Sequence, residues 1–240
     1  MRIALPLPIE VMLMGGDRYF AANVATFRAT TLSYTVRDPE SYEALATVQK
    51  HAAILNPGNE DNYYLAAGIL AWEGQHEAAQ FVLEQATAFR TWDELPAFFL
   101  AHNLQFFNQD YQGAAAVALL ASKRAKGENQ LALKALAARW SEKVGDVSVS
   151  LQMLRAMHRA EWHPGVKALM AARIARVEQL DVLRKAAQRW QTLHTGQTLS
   201  SLDQLIQEKL IVSIPVDPLG YGYTVNGEGM PAFMTREKPQ

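Results

Sequence analysis

The sequence predicts an all-α fold, a short superhelix of helix pairs, closed by a small C-terminal α+β tail of one short helix and a β-hairpin. Three observations carry this expectation. Glu60 to Phe89 reads as two amphipathic helices hinged at Glu73-Gly74-Gln75. Small and large residues then recur in register at about 34 residues, as stacked helix pairs require. From Pro215 onward, prolines, glycines and alternating tyrosines replace the helical periodicity.

Composition bounds the functional classes. The 240 residues are 49% hydrophobic and 20% charged, which suits one large globular domain or one with a small appendage. A net charge of -1 argues against a dedicated nucleic-acid binder. The absence of cysteine excludes disulfides, thiolate metal sites and cysteine nucleophiles. The early apolar run Ile3 to Met14 contains two prolines and Glu10, far short of the roughly 20 residues of a spanning helix. It also lacks the features of a signal peptide, so a soluble chain is expected.

Taken in order, Pro6 and Pro8 predict an extended start, and a short helix from Ile9 to Met14 should stop at Gly15-Gly16. Asp17 is placed to cap a helix from Arg18 to about Tyr34, with Phe20, Val24, Phe27 and Leu32 as its core face. Asp38-Pro39 restarts a helix that carries Leu45, Val48, Ala52 and Leu55 and ends at Asn56-Pro57-Gly58. After the Glu60–Phe89 pair, Thr91-x-x-Glu94 reads as a capping box for a helix from Leu95 to Phe107. Asn108 to Tyr111 breaks it, and a helix from Gln112 to Lys123 follows. Gly127-Glu128-Asn129 is a further break before helices from Gln130 to Lys143 and Val147 to His158. A long helix then runs from Pro164 to about His194, with Ile174, Val177, Leu180, Leu183, Ala187 and Trp190 at helical spacing and Gly196 beyond its end. Its basic residues, Lys167, Arg173, Arg176, Arg184, Lys185 and Arg189, alternate with Glu178 and Asp181 and read as a solvated face. Ser200-Ser201 caps a short helix to Leu210, and Tyr221, Tyr223 and Val225 before Asn226-Gly227 read as a hairpin.

Ala52-x-x-Leu55-Asn56-Pro57, followed by Tyr63, Ala66, Ala67, Leu70, Gly74, Ala79, Leu83 and Ala86, resembles the tetratricopeptide repeat. Asp110-Tyr111, Ala114 and Ala121 continue the register about one repeat later. Ala67 and Ala79 are the small residues that would let the paired helices approach closely. A generic helical bundle rich in alanine is the competing reading. The resemblance implies that the first helix of each repeat lines a concave groove. It puts Tyr34, Arg37, Tyr64, Trp72, Asn103, Phe106, Phe107 and Trp140 on that side. The alternative is that these residues pack against neighbouring helices. The expected organisation is residues 1–37 as an N-terminal segment with helices, 38–163 as repeats and 164–240 as the long helix and tail.

A second resemblance concerns the tail. Thr195-Gly196, Leu202 to Leu210, and Pro215, Asp217, Pro218, Gly220 and Tyr223 are similar to the C-terminal part of type II secretion pseudopilins. The filament-building N-terminal helix of that family has no counterpart here. Leu5-Pro6-Leu7-Pro8 and Gly16 to Asn23 look like the start of some bacterial envelope proteins that combine an anchor, repeats and such a tail. These resemblances imply the bacterial envelope, on the periplasmic side, with the cytoplasm as the alternative. Membrane association would come through a partner or an anchor upstream of Met1.

No catalytic constellation is present. Phosphate-cradling and nucleophile-elbow motifs are missing. His158 and His163 are five positions apart, the second beside a helix-breaking proline, which does not suit a helical zinc site. Asp217 alone falls far short of a calcium site's six to eight oxygens. The expected function is a non-enzymatic scaffold, without cofactor or metal, holding a peptide segment or helix of another protein in its groove. The alternatives are a structural subunit of a larger membrane-associated complex and, lacking a visible acidic or histidine pocket, a helical-repeat enzyme.

Overall fold

The computed structural model describes residues 4–35 and 38–234. Among them the fold is all-α, 68% helical, with eleven α-helices and one small antiparallel hairpin near the C-terminus. The chain divides into two compact units, Met1–Trp140 and Ser141–Gln240. The boundaries expected after residues 37 and 163 therefore fall inside units, because the helices on either side of each pack together.

In the first unit, α1 (Leu7–Leu13) begins earlier than the prolines suggested. Pro8 sits in the first turn, where its missing N–H has no helical partner to lose. Leu7, Val11 and Met14 pack against Ala21, Ala22 and Leu55. In α2 (Arg18–Thr35), Asp17 accepts hydrogen bonds from the Tyr19 and Phe20 N–H groups, as a cap should. The core face of α2 is not the large apolar one that spacing suggested. Ala21, Ala22, Ala25 and Ala29 are buried, while Phe20 and Phe27 are exposed. Small side chains let α2 lie close against α3 (Pro39–Leu55), and the phenylalanines are left on the far side. Asp38 caps α3, whose Leu45, Val48, Ala52 and Leu55 are all buried as expected.

The next pair is α4 (Glu60–Leu65), a π-helical turn over Ala66–Leu70, and α5 (His76–Phe89). Gly74 turns the chain at φ +80°, a conformation strained for any residue with a Cβ. The wider π turn rotates the positions beyond it by roughly 100°, one residue's worth. Ala66, Ala71 and Ala79 are buried while Ala67, the small residue expected at the close approach, is only half-buried. Tyr63, Leu70 and Leu83 are fully buried, each side chain contributing about 1.5–3 kcal/mol.

The third pair is α6 (Leu95–Phe106) and α7 (Tyr111–Arg124), followed by α8 (Gly127–Ser141). The break expected at Gly127 to Asn129 is instead the first turn of α8. The N-cap position of α6 is Glu94, whose side chain makes no capping bond; Asp93 just before it, not Thr91, accepts from the Leu95 N–H at 2.9 Å. The same carboxylate takes Arg90 Nε at 2.8 Å and the Tyr63 hydroxyl, while Arg90 also donates to the Gly58 carbonyl. One arginine thus ties the start of α4 to the end of α5 and the start of α6. First helices meet first helices (α2 with α4, the π turn with α6), and second helices meet second (α3 with α5). This is helical-repeat-like packing.

In the second unit, Asp146 caps α9 (Val147–Ala160) and His163 caps α10 (Pro164–Leu193). Val177, Leu180, Leu183, Ala187 and Trp190 of α10 are buried as the spacing predicted, and Ile174 is half-buried. Leu199, Leu202, Leu205 and Tyr223 close over the α10 stripe to make one core. The short helix α11 (Asp203–Gln207) follows Ser201, whose hydroxyl accepts from the Asp203 N–H. Strands β1 (Tyr223–Val225) and β2 (Pro231–Phe233) pair antiparallel, Tyr223 opposite Phe233. Gly229 combines φ +74° with a close approach. A Cβ there would lie 2.6 Å from the Thr198 side chain, so the turn can press onto residues 198–199 only as glycine.

Candidate functional site

Within the first unit, α2, α4 with its π turn, and α6 each present one face to solvent. Between α2 and α4 lies a cleft of 740 Å³. Asn59 spans one end: it caps α4 through its Oδ1 and donates from Nδ2 to Thr26 Oγ1 at 3.1 Å. Phe27 and Tyr64, 72% and 40% exposed, belong to the cleft wall, and Gly68 and Ile69 continue it along the π turn. Asp61 also lines it, one turn before Tyr64. No hydrogen bond or ion pair engages the Asp61 carboxylate among the described residues. Gly68 is a helical glycine with ordinary φ, and nothing lies within 4 Å of a Cβ added there. Neither conformation nor packing among the described residues calls for glycine at this position, where alanine would favour the helix by about 1 kcal/mol.

One turn further, Trp72 meets α6. Its ring centroid is 5.2 Å from those of both Phe106 and Phe107, and these two are 4.9 Å apart. His102 stacks on Phe106 and His76 on Phe107, with interplanar angles of 10° and 23°. Trp72 and Phe106 remain 57% and 50% exposed, so the cluster is an open aromatic surface. Burial holds the His102 pKa below its ordinary value, since the ring gives up hydration without gaining an acidic partner. Tyr64 joins a second set of rings through Phe99, at 5.6 Å edge to face.

The residues expected to line a groove therefore divide. Tyr64 and Phe106 are exposed on first helices and Trp72 in the turn after the π turn, and Phe107 is half-buried in the aromatic cluster. Asn103 and Trp140 are not on an open surface: they are 2% and 5% exposed. Asn103 faces α5, its Nδ2 donating to the His76 carbonyl. Arg37 and the side chain of Tyr34 lie outside the described residues. Sequence reasoning missed Asp61, Gly68, His76 and His102 and placed Phe27 in the core. The available signal was the alanine stripe of α2, which already occupies the packing face and forces Phe27 outward.

A buried charge cluster occupies the second unit. Glu142 accepts from Arg173 and Arg176, and Arg176 Nε donates to Asp217 at 2.8 Å. Arg176 is 6% exposed and its guanidinium carbon lies 4.1 Å from the Phe233 ring centroid. The solvated face expected for the basic residues of α10 is thus wrong for Arg173 and Arg176, which serve the interior. Burial pushes the Glu142 carboxyl up, against the pull of both arginines. At Asp217 burial also opposes the charge, but the Leu219 and Gly222 N–H groups and Arg176 outweigh it and hold the carboxyl below its ordinary range. Both Asp217 oxygens and Glu142 Oε2 accept from the protein's own donors, while Glu142 Oε1 is buried without a hydrogen-bond partner among the described residues. Among the described residues there is no group of three or more His, Asp or Glu able to hold a metal. No helix among them is long and apolar enough to cross a membrane. In comparisons with known proteins, no family model, no curated protein and no solved structure matches the chain.

Proposed function

We propose that the protein is a non-enzymatic scaffold that holds a segment of another protein against the solvent-facing sides of α2, α4 and α6. The observation that carries this reading is the exposed cluster of Trp72 and Phe106 with Phe107, together with the cleft that Tyr64 and the π turn line. Exposed aromatic anchors of this size beside a cleft are typical binding hot spots, each costing about 2 kcal/mol or more when truncated. Similarity of residues 195–223 to pseudopilin tails supports placing the scaffold in a bacterial envelope assembly, related to secretion or pili. The test is capture of the partner from the native source by the intact chain. Trp72→Ala with Phe106→Ala should abolish capture while the helical circular dichroism signal stays intact. Retained capture by the double variant overturns the assignment of this face.

A second reading, a structural subunit of a larger membrane-associated complex, is favoured by large apolar residues exposed elsewhere. Met12 and Leu13 on α1, and Trp162 before α10, are among them. Recovery of a multi-subunit complex indifferent to Trp72 and Phe106 is the outcome this reading expects.

A further inference from the structure

We infer that the cleft between α2 and α4 takes a basic peptide segment, its backbone against Gly68 and a Lys or Arg side chain at Asp61. This rests on the reading of that face as a protein-binding surface and specifies the chemistry of the partner. Gly68 lines the cleft, yet nothing among the described residues occupies the space its missing side chain leaves. A glycine so placed lets another backbone approach closely. The π turn beneath it, Ala66–Leu70, is the one departure from α geometry within this helix and falls at the same spot.

Charge decides the occupant. Among the described residues lining the cleft, Asp61 is the only one charged at neutral pH, and it has no partner among the described residues. Acidic residues in a first turn complement the helix dipole, but Glu60 already stands there and pairs with Arg90 at 3.2 Å. Asp61 is exposed and lines the same cleft as the aromatic residues Tyr64 and Phe27. A guanidinium or ammonium group satisfies both the carboxylate and the rings. An acidic peptide, or a nucleic-acid phosphate, would meet like charge with no cation among the described lining residues to offset it.

The test is selection of short random peptides displayed on phage against the intact chain, followed by affinity measurement on the enriched peptides. Lys and Arg should be enriched on the wild-type chain and not on Asp61→Asn. For an enriched peptide, Asp61→Asn should weaken binding and flatten its salt dependence. Gly68→Leu should weaken binding about tenfold or more. Gly68→Ala provides the control for folding, because it should raise Tm by roughly 2–4 °C while still weakening binding. No enriched peptide, enrichment without basic bias, or unchanged affinity in Gly68→Leu overturns the inference. Loss of natural partner capture in the Trp72/Phe106 variant together with any of these results would leave the scaffold reading standing and remove only the basic-peptide assignment.

Discussion

Arg176 shows how one residue can be read two ways. By composition it is one of several basic residues on a long helix, and such residues normally lie in water. In the fold it is the middle of a buried chain, Glu142–Arg176–Asp217, with Arg173 on the far side of Glu142. Removing its charge takes the shared cation from both carboxylates, leaving Glu142 with Arg173 alone and Asp217 with only the Leu219 and Gly222 N–H groups, so Arg176→Ala should destabilise the protein by about 3–5 kcal/mol in urea unfolding. Asp217 adds a pH dependence with a definite sign. Its folded pKa lies below the unfolded value near 3.8, so its contribution is complete above that pH and is lost as pH falls through the lower folded value. Urea midpoints measured from neutral pH downward should fall below about pH 3.8 in the wild type. Asp217→Asn should start lower at neutral pH and show a shallower acid decline.

At the scale of elements, helix boundaries were mostly legible because caps are local chemistry. Asp17, Asp38, Asp110 and Asp146 each accept from an N–H two or three residues on. The exception is α6, where the Thr91-x-x-Glu94 pattern suggested a capping box and Asp93 supplies the bond. The reason is tertiary: Arg90 and Tyr63 hold the Asp93 carboxylate in place from two other elements. Thr91→Ala should therefore change stability by less than about 0.5 kcal/mol. Asp93→Ala should cost more than the roughly 1 kcal/mol of a cap alone, because it also leaves Arg90 and Tyr63 without their acceptor. Thermal unfolding of the two variants side by side checks this ordering.

For the whole molecule, the relevant fact is that each unit has its own core. The tail residues Leu199, Leu202, Leu205 and Tyr223 belong to the core of α10 rather than forming a separate module. Deleting Ser200–Gln240 should expose Leu180, Leu183 and Trp190, raise binding of a hydrophobic dye and loosen the second unit. The first unit, with its core among α2 to α7, should keep its helical circular dichroism signal. Loss of helix beyond that attributable to residues 141–240 would show that the first unit does not stand on its own core.

What the amino-acid sequence determined alone is what short-range physics controls: an all-α chain, the hinge at Gly74, the Asp17 cap, the apolar stripe of α10 and the hairpin after Asp217. Periodicity and turn chemistry act over a few residues, so they can be read without a fold. Only the tertiary structure decided which of two available faces a helix buries. In α2 the choice fell on alanines, because close helix packing outweighed the larger apolar area of Phe20 and Phe27. It also decided that Asn103 and Trp140 are interior while Trp72 and Phe106 stay open, and that Arg176 is buried between carboxylates. These outcomes depend on partners distant in the chain, and the π turn, which re-aims Trp72, has no single-residue signature. Such choices become fixed only when the packed neighbours are present to make one face cheaper to dehydrate than the other.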